Sequence, residues 1–70
     1  RLSYHERKEW ESLPGQIETL ENEIDELTEA MEHLGNQPVE LMEKHARLEV
    51  AELELMDLYE RYETLSQKEQ

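Results

Sequence analysis

The side chains of this 70-residue chain that could take part in chemistry are nineteen Asp and Glu, three His and seven Lys and Arg. Their arrangement excludes more than it suggests. With so many carboxylates, pairs arise by chance and do not mark a general acid and base. There is no cysteine to act as a nucleophile, no glycine-rich phosphate loop, and no Ser, His and Asp in a telling order. His33 and His45 flank Gly35-Asn36-Gln37-Pro38 and could approach one another beside a Glu. Closed metal sites usually take four ligands, so the pair reads as two solvated histidines. No catalytic, cofactor-binding or metal-binding residue is expected. Of the cations, Arg1, Arg7, Lys8, Arg61 and Lys68 lie toward the two chain ends, and only Lys44 and Arg47 lie between. Acids are interleaved with all of them, so the plain reading is a mixed solvated surface, and the functional one is a phosphate-binding patch. Trp10 and Tyr62, with Tyr4 and Tyr59 near them, could stack nucleic-acid bases. The simpler expectation is a small aromatic cluster closing one end of the fold.

The elements that position these groups follow from the apolar residues. Trp10, Leu13, Ile17, Leu20, Ile24, Leu27, Met31 and Leu34 recur at alternating steps of three and four. That average is a heptad, with a seam too narrow for a globular core and suited to one partner helix. A second stripe of the same spacing follows Pro38: Leu41, Lys44, Leu48, Ala51, Leu55, Leu58, Tyr62 and Leu65. Folding the chain back at Gly35–Gln37 pairs Leu34 with Leu41, Leu20 with Leu55 and Trp10 with Leu65. The residue numbers of every layer then add to 75, so one register satisfies all eight layers. The predicted fold is all-α: an antiparallel two-helix coiled-coil hairpin, with a short capped N-terminal helix before a Pro14 kink.

Local signals give the boundaries. Ser3 and Glu6 have capping-box spacing. Pro14 biases Leu13 away from helical angles and removes a donor, so a kink or a one-turn break is expected there, with Ser12 able to cap the helix that resumes. Gly35 suits a left-handed helix end, Asn36 or Gln37 a cap and Pro38 a first helical position. The expected division is a helical segment over 1–13, a first hairpin helix over 14–34, a turn over 35–37 and a second hairpin helix over 38–67, with 67–70 fraying. Glu40/Lys44, Glu43/Arg47 and Asp57/Arg61 have the spacing of supporting pairs within the second helix. Val39, Met42, Ala46, Val50, Leu53 and Met56 fall off the seam. They read as surface apolars that widen it, the alternative being a second contact face for a dimer or for a parent protein. Lys44 reads as a stem packed in the seam with its head in water.

Seventy residues form one small domain, in which a buried Leu or Ile contributes roughly 1.5–3 kcal/mol against about 1.5 kcal/mol of ordering entropy per residue. No apolar run approaches the length needed to cross a bilayer, and no signal peptide is evident. Arg1 stands where an initiator Met would be expected, which suggests a segment of something longer. The net charge of −12 argues against strong, non-specific binding to nucleic acid.

Both ends of the chain carry a family pattern. Leu2-Ser3-Tyr4 with Glu6, Glu9 and Glu11, then Leu13-Pro14, Ile17 and Leu20-Glu21, resembles the opening of the C-terminal domain of ABC-F ATPases, the Uup type in particular. Arg61-Tyr62-Glu63 followed by Leu65 resembles the end of that domain. Tyr62 stands where Trp is common, Trp10 where an aliphatic is common, and the turn is shorter than the family's. The resemblance implies a two-helix coiled coil appended to tandem ATP-binding cassettes of a soluble, cytoplasmic protein. ATP and Mg would then belong to the parent's cassettes and not to this segment. It implies action on the ribosome, and a domain regarded as nucleic-acid-binding, with ribosomal RNA or DNA and the parent's cassettes as partners, no membrane, and a monomeric isolated domain. The residues expected to contact nucleic acid are Arg1, Arg7, Lys8, Arg61 and Lys68. The alternative is a protein-interaction or self-association coiled coil.

Between Gly15 and Gly35 there are seven acids and no Lys or Arg, including like-charge neighbours such as Glu18/Glu21 and Asp25/Glu29. Partial protonation relieves that repulsion. The melting temperature, followed by helical circular dichroism, should therefore be higher near pH ~5 than near pH ~8.

Overall fold

The computed structural model describes residues 1–70 as two α-helices, α1 (Tyr4–Glu32) and α2 (Pro38–Glu69). They lie antiparallel and form a rod of 52 × 16 × 15 Å, the hairpin that the two stripes predict. A rod two helices thick has no interior except the strip between them. Only Leu13, Ala51 and Leu65 are fully buried, and they mark where that strip is tightest.

The seam has the predicted phase. All sixteen stripe residues are buried or half-buried. Contacts across the rod join Glu9 to Arg61, Trp10 to Tyr62 and Ser66, and Glu23 to Arg47, on either side of the predicted register. Lys44 is half-buried like its neighbours and lines a shallow groove with Leu27, Glu40, Glu43 and Arg47.

At the start of α1 the capping box is complete. The Ser3 Oγ accepts from the Glu6 amide at 3.1 Å, and the Glu6 carboxylate accepts from the Ser3 amide at 3.0 Å. Of the kink or one-turn break expected at Pro14, the break is not formed: α1 is one helix, Tyr4–Glu32, that contains the proline and joins the two expected segments, 1–13 and 14–34. Both sides of Pro14 are held to α2, with Trp10 and Leu13 before it and Ile17 after it packed in the same seam, so tertiary contacts override the local penalty. Ser12 caps nothing. Its hydroxyl donates back to the Glu9 carbonyl at 2.7 Å and accepts from Gln16 Nε2 at 2.9 Å.

The turn is longer than the expected 35–37, because α1 ends at Glu32 and the connection covers 33–37. The His33 and Leu34 amides turn to the carbonyls of Ala30 and Met31, tightening the last turn by three-residue bonds. Gly35 then takes the left-handed conformation at φ 57°, which an L side chain would resist. Gln37 is the N-cap of α2 through its backbone, its carbonyl accepting from the Leu41 amide at 3.0 Å. Its side chain reaches back to the Leu34 carbonyl at 2.9 Å, and Pro38 opens the helix as expected.

Two further expectations are corrected at α2. The helix does not end at 67 but continues to Glu69, and Glu69 and Lys68 form ion pairs with Arg7 and Glu6. The off-seam apolars do not widen the seam. Val39, Met42, Val50, Leu53 and Met56 are 49–72% exposed, and Ala46 is exposed with them, on the side of α2 facing away from α1.

Two substitutions separate packing from backbone strain in one urea-unfolding experiment. Leu65→Ala empties a fully buried site and should cost about 2–5 kcal/mol, enough to unfold much of so thin a protein. Pro14→Ala restores a helical amide within α1 and should stabilise the chain by about 1–3 kcal/mol.

Candidate nucleic-acid interface

An antiparallel pairing of two heptads brings like flanking positions face to face. Glu9, Glu23, Arg47 and Arg61 each immediately precede a seam residue, namely Trp10, Ile24, Leu48 and Tyr62. The fold sets these flanks opposite one another, acid against base. Arg47 grips the Glu23 carboxylate through Nε and one Nη at 2.7 and 2.8 Å, and Arg61 grips Glu9 at 2.8 and 3.0 Å. These two-point guanidinium–carboxylate contacts fix direction as well as distance.

The supporting pairs expected within α2 are therefore absent. Arg47 turns to Glu23 across the rod and to Glu54 at 3.2 Å instead of to Glu43, Arg61 turns to Glu9 instead of to Asp57, and Lys44 has no ion pair with Glu40. Both arginines sit beside the seam, so their long side chains reach α1 in the geometry a planar fork favours. The signal that would have found these pairs is the flank position, read after the register is fixed.

The open end gathers all five predicted contact residues. Arg7 meets both oxygens of Glu69 at 2.9 Å, Lys68 pairs with Glu6, and Arg61 holds Glu9. Arg1 and Lys8 form no ion pair, and Lys8 lies 5.7 Å from the centre of the Tyr4 ring. All five remain at the surface, with about four-tenths of each paired cation exposed. The fold thus divides the charge. Residues 1–11 and 61–70 carry five cations and five carboxylates, while 12–60 carry two cations and fourteen carboxylates, so the whole net charge of −12 belongs to the shaft and turn.

The aromatic cluster is smaller than expected. Trp10 and Tyr62 stack with centroids 6.1 Å apart, and the indole N–H donates to Ser66 Oγ at 2.9 Å. Tyr4 stands apart, edge-on to His5, and Tyr59 hydrogen-bonds Glu21 farther along the shaft. The stack is half-buried between the helices and closes the seam at this end. His33 and His45 are exposed, with His45 Nδ1 3.4 Å from Glu49, and no three His, Asp or Glu converge as metal ligands.

The cross-helix pairs perturb the acids they involve. The hydrogen bond from Lys68, helped by the Ser3 amide, lowers the Glu6 carboxyl from 4.5 to about 2. Glu9, Glu23 and Glu69 are lowered by hydrogen bonds from Arg61, Arg47 and Arg7. A carboxyl with a depressed folded-state value stabilises the fold fully above its unfolded value. That contribution is lost as pH falls through the folded value. The melting temperature should therefore drop between pH ~4.5 and ~2, below the optimum that relief of repulsion sets. Thermal melts of Glu9→Gln and Glu23→Gln across that window check it, since each variant should show a shallower fall.

A family model described as the ABC transporter C-terminal domain matches residues 1–67. No curated protein and no solved structure matches the chain.

Proposed function

The chain belongs to the ABC transporter C-terminal domain family and is an accessory domain of an ABC-type ATPase, and from that premise we propose a non-catalytic arm, of the ABC-F type, that helps its parent engage the ribosome or nucleic acid. ATP and Mg are handled by the parent's cassettes. The observation that supports this reading is the division of charge along the rod. The acidic shaft is repelled by phosphates, whereas the electroneutral open end presents Arg1, Arg7, Lys8, Arg61 and Lys68. Approach is therefore end-on. Surface ion pairs are worth little, so Arg7, Arg61 and Lys68 can exchange a carboxylate for a phosphate at small cost. Arg1 and Lys8 need no exchange at all. The ends also carry the residues that resemble the ABC-F pattern, Leu2-Ser3-Tyr4 and Arg61-Tyr62-Glu63.

The alternative, a protein-interaction arm, is favoured by a different observation, the apolar outer face of α2. No helix of the chain is long and apolar enough to cross a membrane.

Fluorescence anisotropy with a labelled RNA hairpin and a labelled DNA duplex tests the end-on reading. Binding should be weak, present near ~20 mM salt and lost by ~200 mM. Lys8→Gln should reduce the slope of log affinity against log salt by about one while leaving thermal stability unchanged. If neither probe binds at low salt, the domain has no direct nucleic-acid role and only positions its parent.

A further inference from the structure

The two helices treat their outward positions differently. On α1 the positions facing away from α2 hold one large exposed side chain, Tyr4 in the first turn, and from Glu11 onward only Glu11, Glu18, Asn22, Asp25, Glu29 and their polar neighbours. On α2 the same positions over 39–57 hold Val39, Met42, Ala46, Val50, Leu53 and Met56, broken only by Glu43, Glu49 and Asp57. Both helices share one solvent and one charge character, so α1 serves as an internal control. The apolar stripe on α2 is not what an unpartnered outer face of this chain looks like. It runs about 26 Å along the helix at 1.5 Å per residue, and its five large side chains are half to nearly three-quarters exposed. It also stops at Met56, short of the open end.

The charges around the stripe select its occupant. Glu43, Glu49 and Asp57 lie within it, and Glu52 and Glu54 follow along its margins. The two cations on this part of α2 are turned away: Lys44 is half-buried in the seam beside Leu27, and Arg47 is gripped by Glu23 and Glu54. A second copy would set carboxylates against carboxylates, and an anionic lipid surface would be repelled. What complements an apolar stripe with acidic margins is an apolar stripe with basic margins. We infer that the outer face of α2 docks an amphipathic helix of a protein partner, with aliphatic residues along its centre and Lys or Arg on both sides. The contact is one helix wide, which places it among small, transient interfaces. This face is separate from the open end, so the partner helix can occupy it while the end contacts nucleic acid.

The test titrates the isotope-labelled 70-residue chain with an 18-residue synthetic helix carrying Leu at seam positions and Lys beside them, and with its Glu counterpart. The Lys helix should shift the amides of 39–57, and the Glu helix should not bind. The double substitution L53Q/M56Q keeps the charge, alters only exposed side chains, and should weaken the Lys helix at least tenfold without changing thermal unfolding. Unchanged affinity in L53Q/M56Q would reduce the contact to general charge attraction and overturn the inference. So would shifts centred on Glu18–Glu32, or no binding at all. A concentration-dependent dimer abolished by L53Q/M56Q would assign the face to a second copy and likewise overturn it. Nucleic-acid binding by L53Q/M56Q should match the parent sequence, so loss of one activity leaves the other readable.

Discussion

One constraint underlies the rest of this structure: two heptad stripes in a single chain must meet in antiparallel register. Neither helix can bury its stripe alone, and each stripe is only one or two side chains wide. Once Leu34 faces Leu41, every later layer is determined, out to Trp10 beside Leu65 at the far end of the rod. The left-handed Gly35 and the five-residue connection make that first layer geometrically possible. The paired flanks then hold it, because a slip of one heptad would separate Glu23 from Arg47 and Glu9 from Arg61 together. Local signals that conflict with the register give way to it. Pro14 is carried inside α1, and α2 continues to Glu69 beyond Leu65, the last buried residue of the seam.

The same register sorts the charge. In sequence order the cations at both chain ends look unrelated. Folding the chain in half superimposes the ends, so Arg1, Arg7 and Lys8 come to lie beside Arg61 and Lys68, against the few acids near them. The remaining acids stay on the shaft. A protein whose total charge opposes nucleic acid thereby acquires one end where that opposition is absent. The outer face of α2 is the complementary case, since it is apolar where α1 is polar and acidic at its margins. The rod thus has two distinct surfaces, a tip where cations and carboxylates balance and an apolar side with acidic margins.

The seam, the capping box and the glycine turn were legible in the sequence because each depends on residues three or four apart, or on one backbone preference. Leu13 and Leu65 could be placed in the core by counting alone, and membership in the ABC transporter C-terminal domain family accords with the residues at both ends. The partners of the arginines were not legible in the same way. Within α2, Glu43 and Asp57 stand at ideal helical spacing from Arg47 and Arg61, and only the presence of α1 across the seam shows that Glu23 and Glu9 are better placed. The fate of Pro14 was hidden for the same reason. A proline's penalty is local and fixed, but the packing that outweighs it belongs to the other helix. Periodicity, then, determined from the sequence which face of each helix is inside. Which polar side chains meet across that face, and what lies exposed on its far side, was decided only in the tertiary structure, because those contacts depend on distances between residues far apart in the chain.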